Sequence, residues 1–335
     1  MPLTSDKAAY TICFGYRSSP YTFLLLQVIF LTGMSFGDIG LSWAHELSSE
    51  YVSAGDAANE AGRITEAEML YHKAIASVEQ QNSLDPKVAD VYSKLGRIYR
   101  TQKEYAKEKN AYKRAVYILE WCFGPESLEV IPALNQLASA YYHLDGEQPL
   151  SIALYRQVLV IRENLLGPNH PDVAESLDTL GLALDFPFAR LPQSLPLFER
   201  ALAIREKAFG PDDLAVAVSL NTLAFVYDLH GHYDKAEPYY LRALSIRNKK
   251  LGSDAPEVIQ TLYNLGVLYS LTRQYDKAEA LEKRRVASLE RTLGSDHRDF
   301  ASALQSYASL LFHMGREEEA SKIQARADQI MKIQR

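Results

Sequence analysis

The chain has 335 residues, of which 47% are hydrophobic and 23% charged, and its formal net charge is −6. This acidic balance argues against a general nucleic-acid binder, which usually carries a basic excess. Two cysteines, Cys13 and Cys122, are too few for a disulfide framework or for a zinc site of the usual kind. We therefore expect no cofactor and no nucleic-acid partner.

The first 44 residues differ in composition from the rest of the chain. Residues 18–37 carry no charge, the stretch 21–34 is strongly apolar, and Lys7 and Arg17 precede it. A positive flank followed by an apolar stretch is typical of an export signal, and about 20 uncharged residues also suffice to span a bilayer. We expect residues 1–44 to be a cleaved export signal or a membrane anchor attached through 18–37. The alternative is a disordered extension on a cytoplasmic protein.

A Leu-Gly or Phe-Gly dipeptide recurs along the remainder of the chain, residues 45–335. Its glycines are spaced by 42 or 43 residues: Gly124, Gly167, Gly210, Gly252 and Gly294. A fixed period of this size indicates stacked supersecondary units rather than one globular core. Because glycine is favoured just past a helix C-terminus, we expect each dipeptide to end the last helix of one unit.

The unit between Gly210 and Gly252 contains two amphipathic patterns separated by a turn at 230–232. The first pattern places its apolar residues on one helix face: Val216, Leu220, Leu223, Ala224 and Tyr227. The second pattern starts near Asp234. Six units share this set of apolar positions, here called the grid, and a less regular seventh unit precedes them. The grid includes a small residue after the leucine, which would let the two helices approach closely. The sequence therefore predicts an all-α solenoid of about seven antiparallel helix pairs.

The spacing of Ala224, Tyr227, Gly231, Tyr233 and Ala236 resembles the tetratricopeptide repeat, or TPR. The period is longer than the usual 34 residues of that repeat, and the stretch 220–247, with connectors such as 166–173, is similar to the kinesin-light-chain type. The resemblance covers roughly residues 47–335. It implies a right-handed TPR superhelix in which the first helix of each pair lines a concave surface.

Two units depart from the grid. Between Asp185 and Pro196, three prolines remove amide donors, so we expect no regular helix start there; the stretch would be a drifted surface turn or an exposed apolar contact. In repeat six, Glu282 replaces an aromatic residue and Arg285 replaces an alanine. We expect an interrupted second helix on whose surface these two residues pair, with a basic binding patch as the alternative. Repeat seven and its polar tail, 317–335, would cap the array.

The sequence contains no phosphate-binding loop, no HExxH motif and no nucleophile with a convincing partner pattern. His170 and His297 occupy equivalent connector positions, which favours a structural role, and His230 with His232 makes a weak metal pair. We therefore expect no enzymatic activity. As a separate structural expectation, Asp254 is predicted to be the N-cap of the helix that begins at Pro256.

The free face of the first helices is the candidate groove. Its candidate residues are Asn135, Asp178, Leu182, Asn221, Phe225, Asp228, Tyr263 and Val267, and Asp185 lies on the same face. An asparagine can donate to and accept from a peptide backbone, aromatic side chains supply contact area, and the acids favour a ligand with basic residues. The alternative is that these side chains are solvated or bond to the next helix.

These patterns favour a non-catalytic scaffold that binds a peptide or a partner helix in this groove. One alternative is an exported or membrane-anchored assembly factor, which the leader would bring to an envelope complex. Another is a cytosolic adaptor of the motor or signalling kind. That role would need a partner coiled coil, because the long heptad pattern that a motor-associated light chain carries before its repeats is missing from this sequence.

Overall fold

The structure is a computed structural model that describes residues 49–79, 85–144, 146–186 and 191–333. These residues form helices and the turns between them, with no strand among them. The segment 1–44, predicted as an export signal or anchor, lies outside the described residues. No helix within the described ranges is both long and apolar enough to cross a membrane.

The described residues fall into two compact units, divided between Lys103 and Glu104. The first unit contains α1 (49–60), α2 (Ile64–Glu79) and α3 (Pro86–Thr101). The second unit begins with α4 (Tyr105–Phe123), a 3-10 turn (Leu128–Val130), α5 (Ile131–Tyr142) and α6 (Gln148–Leu166). It continues with α7 (Pro171–Asp185), α8 (Leu191–Phe209), α9 (Leu214–Leu229), α10 (Tyr233–Leu251), α11 (Pro256–Leu271), α12 (Tyr275–Leu293), α13 (Arg298–His313) and α14 (Glu317–Ile333).

In the second unit, first and second helices alternate at the period that the sequence shows. Each helix from α5 to α13 packs against the helices before and after it. The second helices α4, α6, α8, α10 and α12 all have 19 residues, and the glycine after each has φ between 86° and 88°. Glycine adopts this backbone conformation readily because it has no Cβ. The periodic glycines therefore end the second helices, as predicted.

The apolar grid forms the core between the paired helices. Val173, Val216 and Val258 are fully buried at the same place of three consecutive first helices. The predicted close approach of the helices is also present, because a Cβ on Gly181 would lie 2.6 Å from the ring of Phe198. An aromatic side chain on the second helix therefore fills the space that the small residue leaves.

The expectation of an irregular helix start in repeat four is wrong. Helix α8 begins at Leu191 and is 19 residues long, like the other second helices. Pro192 lies in its first turn, where amide donors have no partner inside a helix in any case. Pro196 lies inside α8, and Pro238 takes the same place inside α10, so this fold tolerates a proline there. The remainder of the predicted turn, 187–190, lies outside the described residues.

Two histidines cap first helices, which confirms their predicted structural role. Nδ1 of His170 accepts from the backbone N–H of Asp172 at 3.2 Å, and Nδ1 of His297 accepts from the N–H of Asp299 at 3.1 Å. Each bond satisfies a donor that the first turn of a helix leaves unpaired.

The predicted cap at Asp254 is wrong. The N-cap residue of α11 is Ala255, and the carboxylate of Asp254 accepts instead from Ser288 at 2.8 Å and from Arg291 at 2.5 Å, both in α12. A hydrogen bond between two charged groups is stronger than one to a neutral backbone amide. The arginine therefore draws this carboxylate away from the helix start.

Candidate functional site

The predicted groove residues lie on the first helices α5, α7, α9 and α11. Leu182, Phe225 and Tyr263 are 38%, 39% and 40% exposed, whereas Asn135 and Val267 are half-buried. The ring of Phe225 stacks on that of Phe186 from the preceding repeat, with ring centroids 6.3 Å apart. Three consecutive first helices therefore present partly exposed apolar surface on their free face.

Asp178 is not a free acid. Its Oδ2 accepts from Nη1 of Arg205 in α8 at 2.5 Å, and Oδ1 is buried without a hydrogen-bond partner among the described residues. Burial raises the pKa of Asp178, while the charge of Arg205 opposes that rise. The carboxylate is thus largely neutralised within the protein, which weakens the expectation that it attracts a basic ligand.

Asp185 was placed on the groove face, but the structure buries it. Its carboxylate accepts from Oγ of Ser194 at 3.2 Å and contacts Nε2 of His230 at 2.9 Å. The end of α7 is joined in this way to the turn after α9, so Asp185 and His230 connect two repeats. Within the described ranges, no group of three or more histidine, cysteine or acidic side chains could hold a metal ion.

Asp228 remains as an acid of the groove face. It is half-buried, and burial raises its pKa above the usual range for an aspartate. The buried hydroxyl of Tyr240 has no hydrogen-bond partner in the part of the chain that the structure describes. Burial raises the pKa of that hydroxyl, and the charge of Asp228 adds to the rise. This corner of repeat five therefore has polar groups whose bonding capacity is not fully used.

Asn221 contacts a helix of its own repeat, as the alternative interpretation allowed. Its Oδ1 accepts from Nη1 of Arg247 in α10 at 3.4 Å. Arginine has only donors, so the amide oxygen must face the guanidinium and the NH₂ group is left to donate elsewhere. Arg247 therefore leaves the NH₂ group of Asn221 as a hydrogen-bond donor.

Arg247 belongs to a series that the sequence analysis missed. The series, here called the ladder arginines, consists of Arg162, Arg205 and Arg247 in α6, α8 and α10. Each ladder arginine donates to a hydroxyl 14 residues later in the next first helix: Ser176 at 2.9 Å, Ser219, and Thr261 at 2.5 Å. The ladder arginines join neighbouring repeats, and their recurrence at the repeat period is visible in the sequence.

Repeat six replaces the ladder arginine. Leu289 takes that place in α12, and Arg285 lies one turn earlier. Arg285 donates through Nε at 3.0 Å and through Nη2 at 2.8 Å to Oε2 of Glu282. Glu282 and Arg285 are only 4% and 7% exposed, and α12 is continuous. The predicted pairing is confirmed, whereas the predicted interruption of the helix and the surface location of the pair are wrong. Arg285 also reaches the backbone carbonyl of Ala303 in α13 at 3.5 Å, so the pair lies between packed helices.

Two cavities lie where α11, α12 and α13 meet, and both are lined by Tyr263 and Ser306. The first cavity, of about 560 Å³, is also lined by Ile259, Leu289 and Arg285. The second, of about 650 Å³, also includes Val267 and Glu282. The structure thus brings two predicted groove residues, Tyr263 and Val267, to the same cavity.

Comparisons with known proteins agree with this architecture. One tetratricopeptide repeat model matches residues 49–120, 189–249 and 233–291, and a second model of that description matches 133–172. Together they cover more than half of the chain. No curated protein sequence matches it.

Solved structures show the same fold. A putative kinesin light chain with TPR-like repeats from Podosopora anserina matches with a TM-score of 0.55 and 24% identity, over 61% of this chain and 97% of that chain. BtubC (BKLC) from P. vanneervenii matches with a TM-score of 0.61 and 21% identity, over 69% and 92%. Aspartyl phosphate phosphatase F from Bacillus subtilis matches with 0.57 and 15%, over 94% and 76%.

At these identities the likeness concerns the fold alone, and the predicted all-α solenoid of helix pairs is confirmed. The repeat models, the period and the paired helices lead to one assignment: the chain belongs to the tetratricopeptide repeat family.

Proposed function

We propose that this protein is a non-catalytic scaffold that binds an extended peptide or a partner helix on the free face of its first helices. The observation that carries the proposal is the partly exposed apolar series Leu182, Phe225 and Tyr263 on three consecutive helices. Aromatic area interspersed with hydrogen-bonding groups is typical of protein interfaces. Asn221, oriented by Arg247, supplies such a group beside Phe225.

The charges of this face favour a ligand recognised mainly by apolar and backbone groups. Two of the acids that favoured a basic ligand, Asp178 and Asp185, already bond to Arg205 and to His230. In this proposal, a basic side chain of the ligand binds Asp228. A basic residue would therefore add to recognition locally at repeat five rather than along the whole groove.

The test uses peptides selected from a random phage-displayed library on the full chain. The groove variant is Asn221→Ala with Phe225→Ala, and we expect it to weaken the Kd of selected peptides by about tenfold or more, since it removes a donor and an aromatic contact. Val160→Ala, an exposed residue of the second helix α6, is the control. Equal peptide affinities of the two variants, measured by fluorescence anisotropy, would mean that the groove is misassigned.

The absence of catalysis is part of the same proposal. The sequence has no recognisable catalytic motif, and TPR folds typically act as scaffolds. The neighbour described as a phosphatase shows that fold likeness does not decide the matter. Turnover of any substrate in a broad hydrolase screen, lost together with peptide binding in the groove variant, would contradict the proposal.

A second proposal concerns location and rests on the sequence of the leader. The uncharged stretch 18–37, preceded by Lys7 and Arg17, favours export or membrane attachment of the scaffold, for example to an envelope assembly. N-terminal sequencing of the mature protein together with cell fractionation tests this. An intact N-terminus in the soluble cytoplasmic fraction would instead favour the cytosolic adaptor.

A further inference from the structure

Glu282 and Arg285 occupy places that repeats four and five fill with apolar groups. The residue at the place of Glu282 is Phe198 in repeat four and Tyr240 in repeat five, and the place of Arg285 is Ala201 and then Ala243. All four of those side chains are buried at 0–1% exposure. Repeat six therefore has a buried ion pair where the two preceding repeats have an aromatic ring and a methyl group.

Stability does not explain this exchange. Taking two charges out of water costs free energy that their mutual attraction often fails to recover, so a well-packed apolar replacement is frequently as stable or more stable. The site could also hold an aromatic ring, because Gly266 faces Glu282 as Gly181 faces Phe198. An apolar solution to this position is thus available within the same chain.

The two charges face different cavities. Arg285 lines the cavity of about 560 Å³ with Ile259 and Leu289, whereas Glu282 lines the cavity of about 650 Å³ with Val267. Arg285 uses Nε and Nη2 to hold Oε2 of Glu282, and the ring of Tyr263 lies over its guanidinium at 5.0 Å. A donor-rich group and an acceptor thus lie side by side, less than a tenth exposed, under the free face of repeat six.

We infer that the Glu282–Arg285 pair is an anchor for the backbone of the peptide that the proposed function assigns to this groove. Arg285 offers donors to a peptide carbonyl and Glu282 offers an acceptor to a peptide N–H. The apolar walls at Ile259 and Leu289 take an aliphatic side chain of the same peptide. The occupant is an extended, uncharged peptide segment, because its carbonyl and N–H match the two charges without adding a third.

The test restores the apolar solution of repeat five. The variant Glu282→Tyr with Arg285→Ala reproduces Tyr240 and Ala243, and Lys283→Ala, an exposed charge of the same helix, is the matched control. Library-selected peptides should bind the double variant with a Kd about tenfold or more weaker, since hydrogen bonds to charged groups are lost. The melting temperature of the double variant should equal or exceed that of the wild type. A merely structural ion pair would leave the peptide affinity of the double variant unchanged, and that result would overturn the anchor.

A backbone N-methyl scan of a selected peptide locates the contact. N-methylation at one position of the peptide should abolish its binding to the wild type. The same N-methylation should change its affinity for Glu282→Gln little, because that variant has already lost the carboxylate that accepts from this N–H. The anchor is overturned, and the proposed function stands, if peptides lose affinity for the groove variant but keep it for the double variant Glu282→Tyr with Arg285→Ala. A library that yields no groove-dependent peptide overturns both.

Discussion

Repeats five and six have the same backbone and different chemistry between their helices. Repeat five is α9 with α10, and repeat six is α11 with α12; in both, the first helix has 16 residues and the second has 19. Leu223 and Leu265, at the same place of the grid, are both fully buried. The shared apolar grid therefore specifies the helix pair, whichever other side chains lie between its two helices.

Three positions of the second helix change the charges between the helices. Tyr240, Ala243 and Arg247 of repeat five become Glu282, Arg285 and Leu289 in repeat six. The ladder arginine donates to a hydroxyl of the next repeat at 2.5 Å, whereas the displaced arginine pairs within its own helix, lines a cavity and reaches the next repeat only through a 3.5 Å contact with the carbonyl of Ala303. Since a solenoid repeat interacts only with its neighbours, such an exchange can alter binding chemistry without altering the array.

The strongest test of this comparison removes one charge of the buried pair. Arg285→Ala reproduces the alanine of repeat five but leaves Glu282 buried without its cation, which should cost about 3–5 kcal/mol of unfolding free energy. The double variant Glu282→Tyr with Arg285→Ala should cost close to nothing. Urea unfolding measures both. If the single variant were as stable as the double, the pair would not be buried as the structure shows.

A second pair of substitutions tests whether the grid is equivalent in the two repeats. Leu223→Ala and Leu265→Ala each create a cavity at a fully buried site and should each cost about 2–5 kcal/mol. The exposed Leu229→Ala is the control and should stay within about 0.5 kcal/mol of the wild type. Clearly unequal costs for the two leucines in urea unfolding would show that repeat six packs differently.

The sequence predicted the helix pairs because their signals are local and repeated. Glycine spacing and apolar periodicity recur in every unit, so errors in one unit are corrected by the others. The site was harder to predict, since Asp185 was assigned to the free face and Glu282 to a surface pair, and both are buried. Whether a charged residue is solvated depends on the helices packed against it, such as α13 against Arg285, whose contact Ala303 lies 18 residues later in the sequence. The ladder arginines, by contrast, could have been found from their period.

The turn between first and second helices provides a smaller test. Gly231 of repeat five and Arg273 of repeat six occupy the same turn position, with φ of 75° and 59°. Side chains make this region unfavourable, so Gly231→Ala should lower stability by about 1 kcal/mol. Arg273→Gly should raise it by at most about 1 kcal/mol, because added freedom in the unfolded chain offsets part of the relief. Thermal unfolding in which Arg273→Gly is destabilising would point to a stabilising contact of the arginine side chain.

The smallest effect concerns the connectors before the two first helices. Hydrogen bonds from Arg291 and Ser288 lower the pKa of Asp254 to about 2, whereas Asp212 of repeat five contacts Lys249 at 3.1 Å. A carboxyl whose pKa is lower in the folded than in the unfolded state stabilises the fold above about pH 4, and that contribution is lost as the pH falls through about 2. Asp254→Asn should therefore melt below the wild type at pH 7, and the gap should close between about pH 4 and pH 2. Asp212→Asn, which removes one lysine contact, should show a smaller gap at pH 7. A gap for Asp254→Asn that does not change with pH would mean that its charge does not hold α12 to the connector, and the two connectors would then be alike.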